Sequence, residues 1–235
     1  MKAFLHPGFI DEFIDLPVID STNRYALDAA REGLLVRAGT QTAGRGRRGR
    51  SWFSPDGLNL YMTITLSPPE EKYPLIAGVS VRAALSRLLT GIRFEIKWPN
   101  DIIFAGKKVC GILCETRGNI TAVGIGINVN QDVWPEKLRD TATSLCEISS
   151  RKLSLDEVTE TVVNQVAIWR QRFKESGFGP VREEFLSYGM LKDYRLSTEK
   201  DEPCTIGDMD MNGHLIIEVS GTKKSLHYET IFLSL

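Results

Sequence analysis

Histidine and cysteine at zinc-binding spacing are missing from this sequence. Its three histidines (His6, His214, His227) and four cysteines (Cys110, Cys114, Cys146, Cys204) never cluster, so no structural zinc site is expected. Cys110 and Cys114 lie in one apolar run; on a strand they would share a face at roughly 13 Å, beyond disulfide reach. All four read as reduced and mostly buried. No stretch approaches the ~18 apolar residues that a membrane span requires. Asp11, Glu12 and Asp15 stand where a signal peptide would need an apolar run. A cytoplasmic protein with no membrane partner is the simplest reading. Excess charge is also lacking: 29 basic and 30 acidic residues leave a net −1, which excludes a nucleic-acid coat with a broad positive face. There are no internal repeats and no low-complexity region, and the P-loop pattern Gly-x-x-x-x-Gly-Lys-Ser/Thr does not occur.

Against that neutral background one segment stands out. Gly44-Arg45-Gly46-Arg47-Arg48-Gly49-Arg50 packs four guanidiniums onto a glycine-punctuated loop. No hydrophobic core accommodates such a run. The glycines allow tight turning and close backbone approach, and arginine offers planar donors for carboxylate and phosphate. The loop reads as an anion binder that folds over its ligand; a plain solvated basic loop is the alternative. Gly44-x-Gly46-x-x-Gly49 also matches the dinucleotide-binding pattern, which requires a helix directly after the glycines. Ser51-Trp52-Phe53-Ser54-Pro55-Asp56-Gly57 is loop chemistry instead, so that fold is rejected.

The 235 residues suit one substantial domain with a small appendage. Residues 1–17 read as a leader, and Ser21 or Thr22 as the side-chain cap of a helix reaching about Glu32. Strands are expected at Leu34–Ala38, Leu58–Leu66, Phe94–Trp98, Ile102–Phe104, Val109–Glu115 and Thr121–Val129. Helices are expected from Pro74 to about Leu89, from Leu155 to about Phe173, and onward to Tyr188. From Leu191 the pattern changes to short alternating segments, Cys204–Ile206, Leu215–Val219, Leu226–Tyr228 and Ile231–Leu233, which suggest a small β-barrel packed on the main unit.

Four further motifs follow in order: Ser21-Thr22-Asn23, Lys97-Trp98-Pro99-Asn100-Asp101, Lys108-Val-Cys-Gly111-Ile-Leu-Cys-Glu115, and Gly124-Ile-Gly126-Ile-Asn128-Val-Asn130. Each alone fits an ordinary turn, hairpin or strand. With Gln41 and the basic loop through Trp52, their order and spacing over residues 18–148 closely resemble biotin–protein ligase. The resemblance implies an α+β fold: a mixed, mostly antiparallel sheet with helices packed on it over residues 1–188, and a small SH3-like barrel over 189–235.

That family forms biotinyl-5′-AMP from biotin and ATP and then transfers biotin to a lysine of a biotin carboxyl carrier protein, releasing AMP. The resemblance implies a biotin pocket from Ser21, Thr22, Asn23, Gln41, Arg45, Gly46, Arg47, Lys108, Gly111, Gly124 and Gly126. It implies ATP and adenylate contacts from Arg47, Arg48, Arg50, Trp52, Lys97, Asn100 and Asn128. Arg47, Lys108, Lys97 and Asp101 are the expected catalytic set, with fixed positive charge offsetting repulsion between carboxylate and α-phosphate. Asp101 would hold Mg²⁺ or orient and deprotonate the incoming lysine, and the sequence does not separate these. The partner implied is the carrier domain of a biotin-dependent carboxylase, and a homodimer is compatible. Some twenty residues precede Ser21, too few for a helix-turn-helix, so no DNA binding is expected. The nearest rival is a lipoyl or octanoyl ligase or transferase of related fold; a cysteine-thioester mechanism there would need an exposed, activated thiol. A non-enzymatic binder of the adenylate is the rival of a different class.

Overall fold

The computed structural model describes residues 8–189, 196–197, 203–219 and 221–226. Seven strands form the main sheet: β1 (Glu12–Ile19), β2 (Leu34–Gln41), β3 (Leu60–Leu66), β4 (Glu95–Lys97), β5 (Asp101–Phe104), β6 (Lys107–Arg117) and β7 (Ile120–Ile127). Their order is β1-β2-β3-β7-β6-β5-β4. Only β1 and β2 run parallel; every other neighbouring pair is antiparallel. The fold is therefore the mixed, mostly antiparallel α+β arrangement expected.

Strand periodicity sorts the two faces. Leu60, Met62, Ile64 and Leu66 of β3 and Val123, Ile125 and Ile127 of β7 point to one side. There they are covered by α2 (Tyr73–Leu88), α4 (Leu155–Ser176) and α5 (Gly179–Tyr188), through Leu75, Ile76, Val79, Val162, Val166 and Phe185 among others. On the opposite face, Leu34, Val36 and Ala122 form a small cluster with Ala26 and Leu27 of α1 (Thr22–Ala29), with Ile14 and Ala29 at its edge. The positions continuing that face are Thr63, Gly124 and Gly126, too small or too polar to make a second core. This unfilled half of the sheet is where the cavity lies.

Several local expectations change. The supposed leader contains β1, whose alternation is blurred because it is an edge strand with exposed Glu12 and a bridge from Asp15 to Arg37. Helix α1 stops at Ala29, where Ala30 turns left-handed at φ 51°. Neither Ser21 nor Thr22 caps it with its own side chain; Gln41 Oε1 instead accepts from the Thr22 backbone N at 3.0 Å. A short helix, α3 (Leu145–Ser149), was not foreseen, although Ser144-x-x-Glu147 forms a full capping box there. The β5–β6 hairpin turns on Ala105 and Gly106, both at positive φ, as a two-residue turn of the primed type requires.

A second, antiparallel sheet comprises β8 (Leu196–Ser197), β9 (Pro203–Met209), β10 (Leu215–Val219) and β11 (Thr222–Leu226). Strand β11 precedes the segment expected at Leu226–Tyr228 and shares only Leu226 with it, its pattern hidden by exposed Lys223 and Lys224; the rest of that segment lies outside the described residues. The expected segment Ile231–Leu233 lies outside the described residues. Met209, Leu215 and Ile217 are buried within the main core. Arg182 of α5 donates to the Met209 carbonyl at 2.6 Å and pairs with Asp208.

Candidate functional site

On the unfilled sheet face lies a cavity of about 860 Å³. Its floor is glycine: Gly111 pairs with Gly126, and Gly124 with Leu113, across β6 and β7. Close approach is required at these positions. A Cβ on Gly124 would fall 2.2 Å from Asn23 Oδ1, and one on Gly126 would fall 2.6 Å from the Trp52 indole.

At one end stands the N-terminus of α1. Thr63, fully buried on β3, places its Oγ1 2.8 Å from Thr22 Oγ1 and 2.7 Å from Asn23 Oδ1. Asn23 Nδ2 donates to the Leu113 carbonyl at 3.0 Å and to Glu115 Oε2 at 2.8 Å. Thr22 Oγ1 donates to Gln41 Oε1 at 3.2 Å, and Gln41 Nε2 reaches Ser54 Oγ at 3.3 Å. A buried polar lattice of this kind must be satisfied to persist, and it presents a rigid set of donors and acceptors to anything lying on the glycines.

The basic segment is folded as a tight hairpin. Arg45 bridges Ser51, Gly46 N donates to the Arg50 carbonyl at 2.7 Å, and Trp52 N donates to the Gly44 carbonyl at 2.9 Å. Its tip is a single 3₁₀ turn, with Arg48 at φ 58°. The hairpin leans over the cavity, and its arginines help to hold it there. Arg45 Nη2 meets Glu115 Oε2 at 3.0 Å, and Arg47 Nη1 donates to Asn100 Oδ1 at 3.1 Å. Trp52 lies on the glycine floor, with Lys108 Nζ 5.2 Å from its ring centroid. Its buried Nε1 has no hydrogen-bond partner among the described residues.

The opposite wall is the strand-end turn from Lys97 to Asp101, followed by Lys108. Asn100 Nδ2 donates to the Ile112 carbonyl at 2.7 Å, so this amide anchors the turn and Arg47 together. Lys108 Nζ lies 2.8 Å from Asp101 Oδ1, an ion pair without hydrogen-bond geometry; that buried oxygen accepts no hydrogen bond. Lys97 is only 9 % exposed. Burial lowers its pKa below the ordinary value of 10.5, Asp101 opposes that, and Lys108 and Arg50 add to the lowering. Asn128 Nδ2 is taken up by the carbonyls of Lys108 at 3.2 Å and Thr143 at 3.1 Å, leaving its oxygen as the group available to a ligand.

Every residue that the resemblance assigns to the biotin pocket, the adenylate contacts or the catalytic set lines this one cavity. Sequence reasoning missed Tyr61, Phe53 and the far wall of Trp134, Pro135, Leu138 and Thr141. It also gave no role to Thr63 and Glu115, which hold Asn23. A fully buried threonine between Met62 and Ile64 was the available signal for the first. Neither cysteine on β6 is an activated thiol: Cys110 is fully buried, and burial pushes the Cys114 thiol up to about 12 and raises that of Cys110 as well. Among the described residues no three His, Cys, Asp or Glu side chains converge on a metal position, and no helix is long and apolar enough to cross a membrane.

Comparison with known proteins identifies the family and the fold. The profile of the biotin/lipoate A/B protein ligase family matches residues 16–132. The bifunctional ligase/repressor BirA of Bacillus spizizenii is 38% identical over 192 residues, 74% of this chain and 58% of the relative. The chain thus spans under two thirds of that relative's length. The biotin–[acetyl-CoA-carboxylase] ligase of Paracoccus denitrificans is 34% identical over 187 residues, covering 72% of this chain and 77% of its own. Among solved structures, the biotin protein ligase of Aquifex aeolicus in complex with biotin and ATP superposes with a TM-score of 0.87 at 33% identity, over 96% of this chain and 100% of that one. With relatives at these identities and coverages, the chain belongs to the biotin/lipoate A/B protein ligase family, on its biotin protein ligase side.

Proposed function

We propose that this chain is an ATP-dependent biotin–protein ligase acting on the carrier domain of a biotin-dependent carboxylase. The observation that carries the reading is the convergence of Arg47, Lys97 and Lys108 on the wall of a glycine-floored cavity whose other end is the Thr22–Asn23–Thr63–Gln41 lattice. A flat polar ring fits the lattice, an apolar acyl chain fits the glycines and Trp52, and a polyphosphate fits the cations.

In the first step a biotin carboxylate oxygen attacks the α-phosphorus, the bond to the β-phosphate oxygen breaks, and pyrophosphate leaves. Two anions must meet, and Arg47 and Lys108 offset their repulsion where water is partly excluded. Lys97, Arg48 and Arg50 assist with the phosphates, and Asn100 holds Arg47 in place. Trp52 and the Asn128 oxygen are the adenine contacts. In the second step the carrier lysine amine attacks the biotinyl carbonyl carbon, the bond to the phosphate oxygen breaks, and AMP leaves. Asp101 orients that amine and takes its proton. Mg²⁺ keeps water and substrate-phosphate ligands and needs only one or two carboxylates. Asp101, with a buried oxygen that accepts no hydrogen bond, fits as that carboxylate; a magnesium ion there would neutralise the pyrophosphate leaving group.

The reading treats residues 1–188 as the catalytic unit and 189–235 as an appended one, in a cytoplasmic protein that a homodimer would suit. The deeply buried Cys110 and the raised Cys114 thiol disfavour a thioester route through the cysteines of β6. Biotin-dependent ATP–pyrophosphate exchange tests the proposal, run beside lipoate and octanoate. Exchange with biotin alone is expected; exchange with lipoate alone would move the chain to the rival branch, and silence with all three would favour a non-catalytic binder.

A further inference from the structure

Glu115 serves no step above, yet its side chain joins Asn23 of the floor lattice to Arg45 of the basic hairpin. It follows Gly111 and Leu113 on the cavity face of β6. One oxygen, Oε2, accepts from Asn23 Nδ2 at 2.8 Å and from Arg45 Nη2 at 3.0 Å. Its side chain is 27% exposed and that of Arg45 47%, so each is free to give way. Asn23 is not: its remaining N–H is taken by the Leu113 carbonyl, its oxygen lies beside Thr63 Oγ1, and it rests on Gly124.

We propose that Glu115 is a positioning residue that ties the hairpin to the state of the cavity floor through this shared oxygen. The inference rests on the ligase reading. Two donors on one carboxylate oxygen are coupled: a ring bound against the fixed Asn23 amide stiffens it further, and the shared oxygen, held by that amide, then fixes Arg45. Arg47 and Trp52 belong to the same hairpin, so placing Arg45 places the cation and the indole that meet the adenylate. The charge of Glu115 is essential, because a neutral amide still accepts from Asn23 but loses the charge-assisted bond to the guanidinium.

The hairpin carries its own reporter, since Arg45, Arg47, Arg48 and Arg50 are trypsin sites. Wild-type protein, Glu115→Gln and Arg45→Gln are digested with and without biotin plus ATP, and release of pre-formed biotinyl-adenylate is timed for each. Ligand is expected to slow cleavage within residues 45–50 in wild type and to protect far less in either variant. Adenylate should leave both variants about tenfold faster, with the double variant no worse than either single one. Circular dichroism should show the same melting temperature for all, and Arg45→Gln, at a half-exposed side chain on the cavity rim, keeps the test valid if Glu115→Gln folds poorly. Biotin-dependent exchange in wild type with equal protection and additive release rates in the variants would overturn the Glu115 inference alone. No biotin-dependent exchange in wild type would overturn the ligase reading with it.

Discussion

Lys97 and Gly124 show how single positions carry the site's physics. Burial first, then Lys108 and Arg50, hold the Lys97 ammonium below its ordinary pKa, against Asp101. The folded-state value lies below the unfolded one, so Lys97 disfavours folding while both forms are protonated. That penalty fades as pH rises through the folded value. Binding has the opposite sign in the proposed reading, where Lys97 meets the ATP phosphates in its charged form. ATP affinity is therefore expected to fall at alkaline pH earlier than for an ordinary lysine, and Lys97→Arg should flatten that fall. Calorimetric titration from about pH 7 to about pH 10 measures both. Gly124 is constrained sterically: its Cβ would sit 2.2 Å from an Asn23 oxygen held by its neighbours. Gly124→Ala is expected to cost about 1–3 kcal/mol by overpacking and to raise the KM for biotin more than it lowers kcat, read from denaturation and from exchange kinetics.

At the scale of elements, the start of α1 is governed from outside the helix. Thr22 N and Oγ1 both donate to Gln41 at the end of β2, so β2 caps the helix that follows β1. Gln41→Ala should remove about 1 kcal/mol, the ordinary worth of a side-chain cap, and weaken biotin binding as well. Ser21→Ala should cost less, since its hydroxyl makes no cap bond. Urea midpoints for the two variants check the order; equal losses would mean that Gln41 does not act as the cap. The same logic explains which elements were legible. The β5–β6 hairpin and α4 followed from turn chemistry and helical periodicity. Strand β1 did not, because a parallel edge strand shows neither strict alternation nor a hairpin turn.

Across the whole molecule, the second sheet is part of the main core. Met209, Leu215 and Ile217 are buried with α2 and α5, and Trp98 Nε1 donates to the Gly213 carbonyl at 3.0 Å. Trp98 follows the catalytic candidate Lys97 directly, so the second sheet is tied to the site through one residue. Unfolding in urea is expected to give a single transition, coincident by tryptophan fluorescence and circular dichroism. Arg182→Ala, which removes the donors to Met209 and Asp208, should lower stability by about 1–3 kcal/mol and reduce activity through the displaced 97–101 turn. Two separate transitions would show that the sheets fold independently.

Residue chemistry and spacing in the sequence determined where most strands and helices and the basic loop begin, and carried the resemblance that implied the mixed sheet and part of the cavity lining, because charge clustering, glycine runs and strand periodicity are local properties of the chain. Only the tertiary structure decided what those residues hold. Asn100 and Asn128 spend their amide nitrogens on backbone carbonyls, Gln41 caps a helix, and Glu115 joins the cavity floor to the hairpin. These partners lie many residues apart in the chain, and a hydrogen bond depends on distance and direction in space, which sequence separation does not encode.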